Sequence, residues 1–140
     1  MLTHEIEIRV RYQETDAQGH VHHANYVTWF ELGRTEMLRA AGRNYEALER
    51  EGVILVVAEM NLKYYRPCYF GDVVTLRTEV VEAKGARARH HYQVLRGEEL
   101  LAEGHSVVAS IDSKGKPCRL PDWLQVKKAR NPNDEGAVSD

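Results

Sequence analysis

Thr15-Asp16-Ala17-Gln18-Gly19-His20-Val21-His22-His23-Ala24-Asn25-Tyr26 runs without a break into an amphipathic segment, Tyr26 to Ala41. Tyr26, Phe30, Gly33, Met37 and Ala41 recur there at helical spacing, with Val27 and Leu38 widening the stripe. Glu31, Arg34, Thr35 and Arg39 fall largely off it. Gly33 costs about 1 kcal/mol of helix propensity relative to Ala. Its place on the apolar face points to close approach of the helix to a sheet. Ahead of the helix, Asp16, His20, His22 and His23 crowd a loop in which Gly19 permits a tight turn. The first N–H groups of a helix have no intrahelical partner, and the helix dipole is positive at that end. Such a loop suits chemistry on an anion or a polarised carbonyl.

Outward from the helix, the pattern is that of strands. Glu5 to Tyr12 alternates, with Ile6, Ile8, Val10 and Tyr12 on one face. After the helix, Gly42 is a natural C-cap, and Asn44 caps a short second helix, Tyr45 to Arg50. From Val53 the period becomes two. Val53 to Tyr65 reads as a long strand, apolar on both faces at its start and so expected to be buried there on both sides. Val73 to Glu82, Ala86 to Arg96 and Leu100 to Asp112 follow as strands, with turns at Lys84-Gly85 and Gly97-Glu98-Glu99. The order is strand, loop, helix, short helix, then four strands expected as a meander. That is an α+β layer fold: an antiparallel five-stranded sheet around one long helix. Its edges need protection, which a dimer joining two edge strands would supply. Residues 1–124 read as a single domain. Residues 125–140 are polar and aperiodic, with disorder expected after about Lys128.

The totals narrow the function. The chain has 140 residues, 19 basic against 21 acidic, for a formal charge of −2. This balance gives no support to bulk nucleic-acid binding. No apolar run approaches the roughly 20 residues of a membrane helix, and the N-terminus lacks a signal-peptide pattern. Cys68 and Cys118 stand apart with no Cys-x-x-Cys spacing and read as reduced structural thiols. A cytoplasmic protein is the expectation.

Tyr12-x-x-Thr15-Asp16-x-x-Gly19-His20-Val21-x-x-Ala24-x-Tyr26, followed by Phe30-Glu31-x-x-Arg34, resembles the hot-dog-fold acyl-CoA thioesterases of the 4-hydroxybenzoyl-CoA thioesterase family. The resemblance spans roughly residues 4–124 and takes in Tyr64-x-Arg66-Pro67, Gly71-Asp72 and Gly115-x-Pro117. It implies the hot-dog fold, a sheet wrapped around a central helix. It also implies a homodimer as minimal unit, with a homotetramer as the larger alternative, and active sites at the interface. The aspartate matching Asp16 is then catalytic, and the backbone N–H of the residue matching His23 binds the thioester oxygen. The chemistry of the residues runs the same way. A thioester needs an attacking group, an oxyanion donor and departure of a thiolate. Asp16 could attack directly or deprotonate water. A thiol pKa near about 8.5 makes the thiolate a fair leaving group, so neither a metal nor any cofactor beyond the coenzyme A of the substrate is required. Retention of Asp16 argues for an acyl-CoA or acyl-carrier substrate.

Other residues have two readings. His23 is a base or substrate orienter, or a packing histidine. His20 and His22 would point one way along an extended loop and His23 the other, which argues against a metal site. Gly19, Tyr26, Glu31 and Glu59 are substrate-binding candidates; Glu31 could equally pair with Arg34 on the helix surface. Lys84, Arg87 and Arg89 could hold the phosphates of coenzyme A or form a solvated strand face; Arg66, Lys114, Lys116 and Arg119 are weaker candidates. His90, His91 and His105 read as sheet residues without a role. Two rival functions stay open: an enoyl-thioester hydratase or dehydratase on the same fold, and a non-catalytic acyl-CoA or carrier-protein binding module.

Overall fold

A computed structural model describes residues 2–127. Its elements are β1 (Thr3–Arg9), α1 (Asn25–Ala40), α2 (Tyr45–Arg50), β2 (Ile54–Tyr64), β3 (Val73–Lys84), β4 (Arg87–Arg96) and β5 (Glu99–Ile111), with short 3₁₀ turns at Tyr12–Glu14 and Asp122–Leu124. The five strands form one antiparallel sheet in the order β1-β3-β4-β5-β2. The sheet curves around α1, the arrangement expected of a hot-dog fold. Breaks in register at Val57/Glu59, Val80/Glu82 and Val94/Leu95 supply part of that curvature.

The meander is shorter than expected. It contains only β3, β4 and β5, and β2 lies at the far edge beside β5. The connection lengths explain this. β3–β4 and β4–β5 are each joined by two residues, built on Gly85 (φ 62) and Gly97 (φ 63), which is hairpin geometry. β2 and β3 are joined by residues 65–72, long enough to cross the end of the sheet. As an edge strand, β2 is not buried on both sides: Val56 and Val57 are 38% and 47% exposed. The first strand also ends early, at Arg9. Residues 12–14 turn because the Glu14 carboxylate accepts the Arg11 N–H at 2.8 Å. At the other end, Val126 exchanges backbone hydrogen bonds with Ala83, and the segment for which disorder was expected lies outside the described residues.

The helix seats itself largely as its stripe foretold, although Ala41 falls just past its end and is exposed. Tyr26, Trp29, Phe30, Gly33, Met37 and Leu38 are buried, whereas Val27 faces outward. Arg34, placed off the stripe by its spacing, is buried and donates to the Tyr92 hydroxyl at 2.8 Å. No Glu31–Arg34 ion pair forms among the described residues. Phe30 lies flat on Tyr92, ring centroids 4.2 Å apart and planes within 4°. Two glycines make this contact possible. A Cβ on Gly33 would run into Thr78 Oγ1 and stand 2.8 Å from Leu76 Cδ2. One on Gly104 would stand 2.5 Å from Phe30 Cε2 and 2.9 Å from the Asn61 carbonyl oxygen. The second clash is the harder to relieve, because a core ring and a neighbouring strand's backbone must both move. Gly104→Ala is therefore expected to lose about 1–3 kcal/mol of stability, read as a lower denaturant midpoint at unchanged slope. An unshifted midpoint would show that helix and sheet are less closely packed than described.

Candidate active site

The loop at the start of α1 is a small hairpin of its own. Thr15 bridges Val21, and His20 bridges Tyr69. The Asp16 N–H donates to the His20 carbonyl at 2.7 Å, and the Gly19 N–H to the Asp16 carbonyl at 3.0 Å. Gly19 sits at φ 83, a conformation that favours glycine. Asp16 Oδ1 accepts the N–H groups of Gln18 (2.8 Å) and His20 (3.2 Å). These bonds hold the carboxylate in one orientation while the residue itself stays exposed. Its second oxygen accepts no hydrogen bond among the described residues.

Glu14, which sequence reasoning passed over, ties this loop to the helix. It is buried, and its carboxylate accepts the Trp29 indole N–H at 2.8 Å as well as the Arg11 N–H. Its backbone carbonyl accepts the His22 N–H and the Asn25 side-chain amide, both at 2.8 Å. Burial pushes its pKa up, but the bonds from Arg11 and Trp29 outweigh this and hold it below the ordinary carboxylate value. The only sequence signal was an acidic residue two positions before Asp16, with an indole one helical turn inside α1. Glu14→Gln, the same shape with one acceptor replaced by a donor, leaves either the Trp29 indole N–H or the Arg11 N–H facing an amide NH₂. A loss of about 1–3 kcal/mol is expected on unfolding, together with slower turnover as the loop loosens. Unchanged stability and rate would remove Glu14 from this role.

At the helix start, the His22 N–H is used by Glu14 and the Ala24 N–H donates to His22 Nδ1 at 3.1 Å. Among the described residues, the His23 N–H has no acceptor. The His23 carbonyl accepts the Tyr64 hydroxyl at 3.1 Å, which pins this turn to β2. The His22 and His23 rings stack, centroids 4.2 Å apart, rather than pointing to opposite sides as an extended loop would have them. His20 instead packs edge-on against Tyr69. The wall opposite is fixed by Arg96, which donates to Asp72 Oδ2 (2.8 Å) and Glu99 Oε1 (2.7 Å) and so braces residues 67–72. Behind it Cys68 is fully buried, and burial raises its thiol to about 11, an inert group.

The result is an open cleft of about 350 Å³ lined by Asp16, His20, His23, Tyr26, Tyr64 and Arg66 among others. Tyr26 is its buried floor. Burial raises the Tyr26 hydroxyl well above the usual phenol pKa, so it stays protonated. A more enclosed apolar cavity of about 250 Å³ lies toward the other end of α1, around Met37, Val80 and Leu120, but it holds none of the loop's groups. Asp16, His20 and His23 line the open cleft instead.

Of the residues singled out from sequence, Asp16, His23, Tyr26 and Arg66 line this cleft, while Gly19 does not line it and serves the turn that follows Asp16. Glu31 lies instead on a second groove with Arg34, Tyr45 and Glu49. Glu59 lies on edge strand β2, near Arg89 and His91. Lys84 and Arg87 flank the β3–β4 turn, with Arg89 in an ion pair to Glu82 at 3.8 Å. That turn is a full strand away from the β3 end nearest Asp16, roughly 30 Å.

A long helix cradled in a five-stranded antiparallel sheet is the architecture of the hot-dog class, whose members here are thioester hydrolases. Comparison with known proteins agrees. Residues 10–127 match the model of the Thioesterase-like superfamily, and the chain belongs to that family. It is 38% identical over 116 residues to the acyl-CoA thioester hydrolase YbgC of Escherichia coli O6:H1, covering 81% of this chain and 87% of that protein. It is 35% identical over 124 residues to the acyl-CoA thioesterase YbgC of Haemophilus influenzae, covering 87% and 90%. Among solved structures, the DHNA-CoA thioesterase of Staphylococcus aureus superposes with a TM-score of 0.81 at 29% identity, covering 89% of this chain and 85% of that one.

Proposed function

We propose that the cleft at the start of α1 hydrolyses an acyl-CoA to a carboxylic acid and free coenzyme A. The observation that carries this reading is the pairing of Asp16, with one oxygen uncommitted, and the unused His23 N–H in one cleft. In the general-base route, Asp16 takes a proton from water, whose oxygen adds to the thioester carbonyl carbon. The negative charge passes to the carbonyl oxygen, held by the His23 N–H at the positive end of the helix. Collapse restores the carbonyl, breaks the C–S bond and releases a thiolate that recovers a proton. In the nucleophilic route, Asp16 itself adds, expels the thiolate and leaves an anhydride that water opens. Two features favour hydrolysis over hydration of an enoyl bond. Among the described residues, Asp16 accepts only backbone N–H groups, and the His23 ring is stacked on His22 rather than bonded to a carboxylate.

The working unit in this reading is a homodimer. Among the described residues the outer edge of β2 has no strand beside it, and exposed Val56 and Val57 lie along it. Pairing two copies there would continue the sheet and remove both edges. Tyr64 and Tyr65, each 47% exposed at the mouth of the cleft, would then be covered. Arg66 is the phosphate contact within reach inside one chain. Glu59, Lys84, Arg87 and Arg89 would serve substrate only from the second copy.

The test is release of free thiol from a panel of aliphatic and aromatic acyl-CoAs, with the enzyme's mass in solution measured alongside. Turnover of at least one class by a dimer or larger assembly is expected. Tight binding of every acyl-CoA with no thiol released would leave a binding module instead.

A further inference from the structure

We propose that the outer face of the sheet carries a site for a divalent transition-metal ion, with His91, His105 and Glu103 as its ligands. This inference is independent of the reading of the Asp16 cleft. His91 on β4 and His105 on β5 are direct cross-strand partners, and their rings stack with centroids 4.6 Å apart. Glu103, two residues before His105, projects from the same face. Its Oε2 lies 3.0 Å from His91 Nε2. One ligand atom from each of the three lies within 4.8 Å of the others. A tetrahedral ion with bonds of about 2.1 Å sets its ligands about 3.4 Å apart, within reach of small side-chain rotations.

The surroundings are those of a built site. Glu103 Oε1 accepts the Tyr65 hydroxyl at 2.6 Å, which fixes the carboxylate and leaves Oε2 turned toward the imidazoles. On the other side of His91, Glu79 Oε1 stands 3.7 Å from Nδ1. Without an ion, the His91 Nε2–H donates to Glu103 Oε2; an ion entering between them displaces that proton, and the tautomer with its proton on Nδ1 then faces Glu79, the carboxylate–histidine–metal arrangement that orients such ligands. His91 and Glu103 side chains are only 22% and 26% exposed, so both are partly shielded from water. Lys63, the cross-strand partner of Glu103, is the opposing charge, on a long exposed stem that can turn away. Two imidazoles and a carboxylate suit zinc, nickel or copper(II) rather than magnesium or calcium, and leave the fourth position to water.

The test is titration of the untagged, chelator-treated full chain with zinc and nickel, read by calorimetry and by the shift in melting temperature. One ion per chain and a higher melting temperature are expected. His105→Ala and Glu103→Gln should each weaken binding at least tenfold, and Tyr65→Phe about 10–100-fold through the freed carboxylate. His4→Ala, on the distant strand β1, should leave binding unchanged. The proposal is overturned if neither metal binds up to submillimolar concentration. It is equally overturned if stoichiometric binding survives both His91→Ala and His105→Ala in folded protein.

Discussion

Asp16→Asn is expected to lower kcat on the best acyl-CoA by about 10²–10⁴-fold, the range typical of a lost general base, with KM little changed. The asparagine side-chain oxygen can still accept the Gln18 and His20 N–H bonds, so the loop keeps its shape. What disappears is the charge, and with it either the proton acceptor or the nucleophile. Circular dichroism and the melting curve of the variant should match wild type, which separates chemistry from folding. A folded variant within a few-fold of wild-type turnover would remove Asp16 from the reaction.

Acid should destabilise the fold through His90. This residue is 8% exposed, and its Nδ1 has no hydrogen-bond partner among the described residues. Burial, reinforced by the nearby Arg34 cation, pushes its pKa down to about 3. In the unfolded chain the same imidazole titrates near about 6.5. Between those values the unfolded state binds the extra proton, so stability falls as pH drops from about 6.5 toward 3. At pH about 4.5 the loss is roughly 2–3 kcal/mol relative to neutrality. Denaturant unfolding of wild type and His90→Gln at both pH values isolates this effect, because the carboxylates common to both proteins cancel. The variant should lose roughly that much less stability on acidification. Equal losses in the two proteins would mean His90 is not held neutral.

Much of this was legible along the chain. Alternation located β3, β4 and β5 within two residues, since each has one face against α1. Asn44 marked α2 correctly, and its side chain accepts the Ala47 N–H at 2.7 Å. Gly33 on an apolar stripe announced the helix–sheet contact. What stayed hidden depends on partners distant in sequence. Helical spacing put Arg34 on the surface, but it cannot register that the Tyr92 hydroxyl, 58 residues on, waits for it. Periodicity described β2 and said nothing of which neighbour it would take. Glu14 looked like one more loop carboxylate until Trp29 and Arg11 closed around it. His91, Glu103 and His105 each fit an ordinary strand pattern; only the register of β4 on β5 makes them a group. The Asp16 loop was readable because its parts are contiguous. Tyr64 and Arg66, both within the segment that carried the resemblance, line the same cleft from β2 and the segment after it, which only the fold could show.

The central claim is that this chain hydrolyses a thioester: its C–S bond breaks and water supplies an oxygen of the acid. It is tested most directly by turnover of an acyl-CoA in ¹⁸O-labelled water, with the products weighed by mass spectrometry. Free coenzyme A is expected in equal amount to a carboxylic acid that carries the label in its carboxylate. A labelled hydroxyl on the acyl chain with the thioester intact would contradict it.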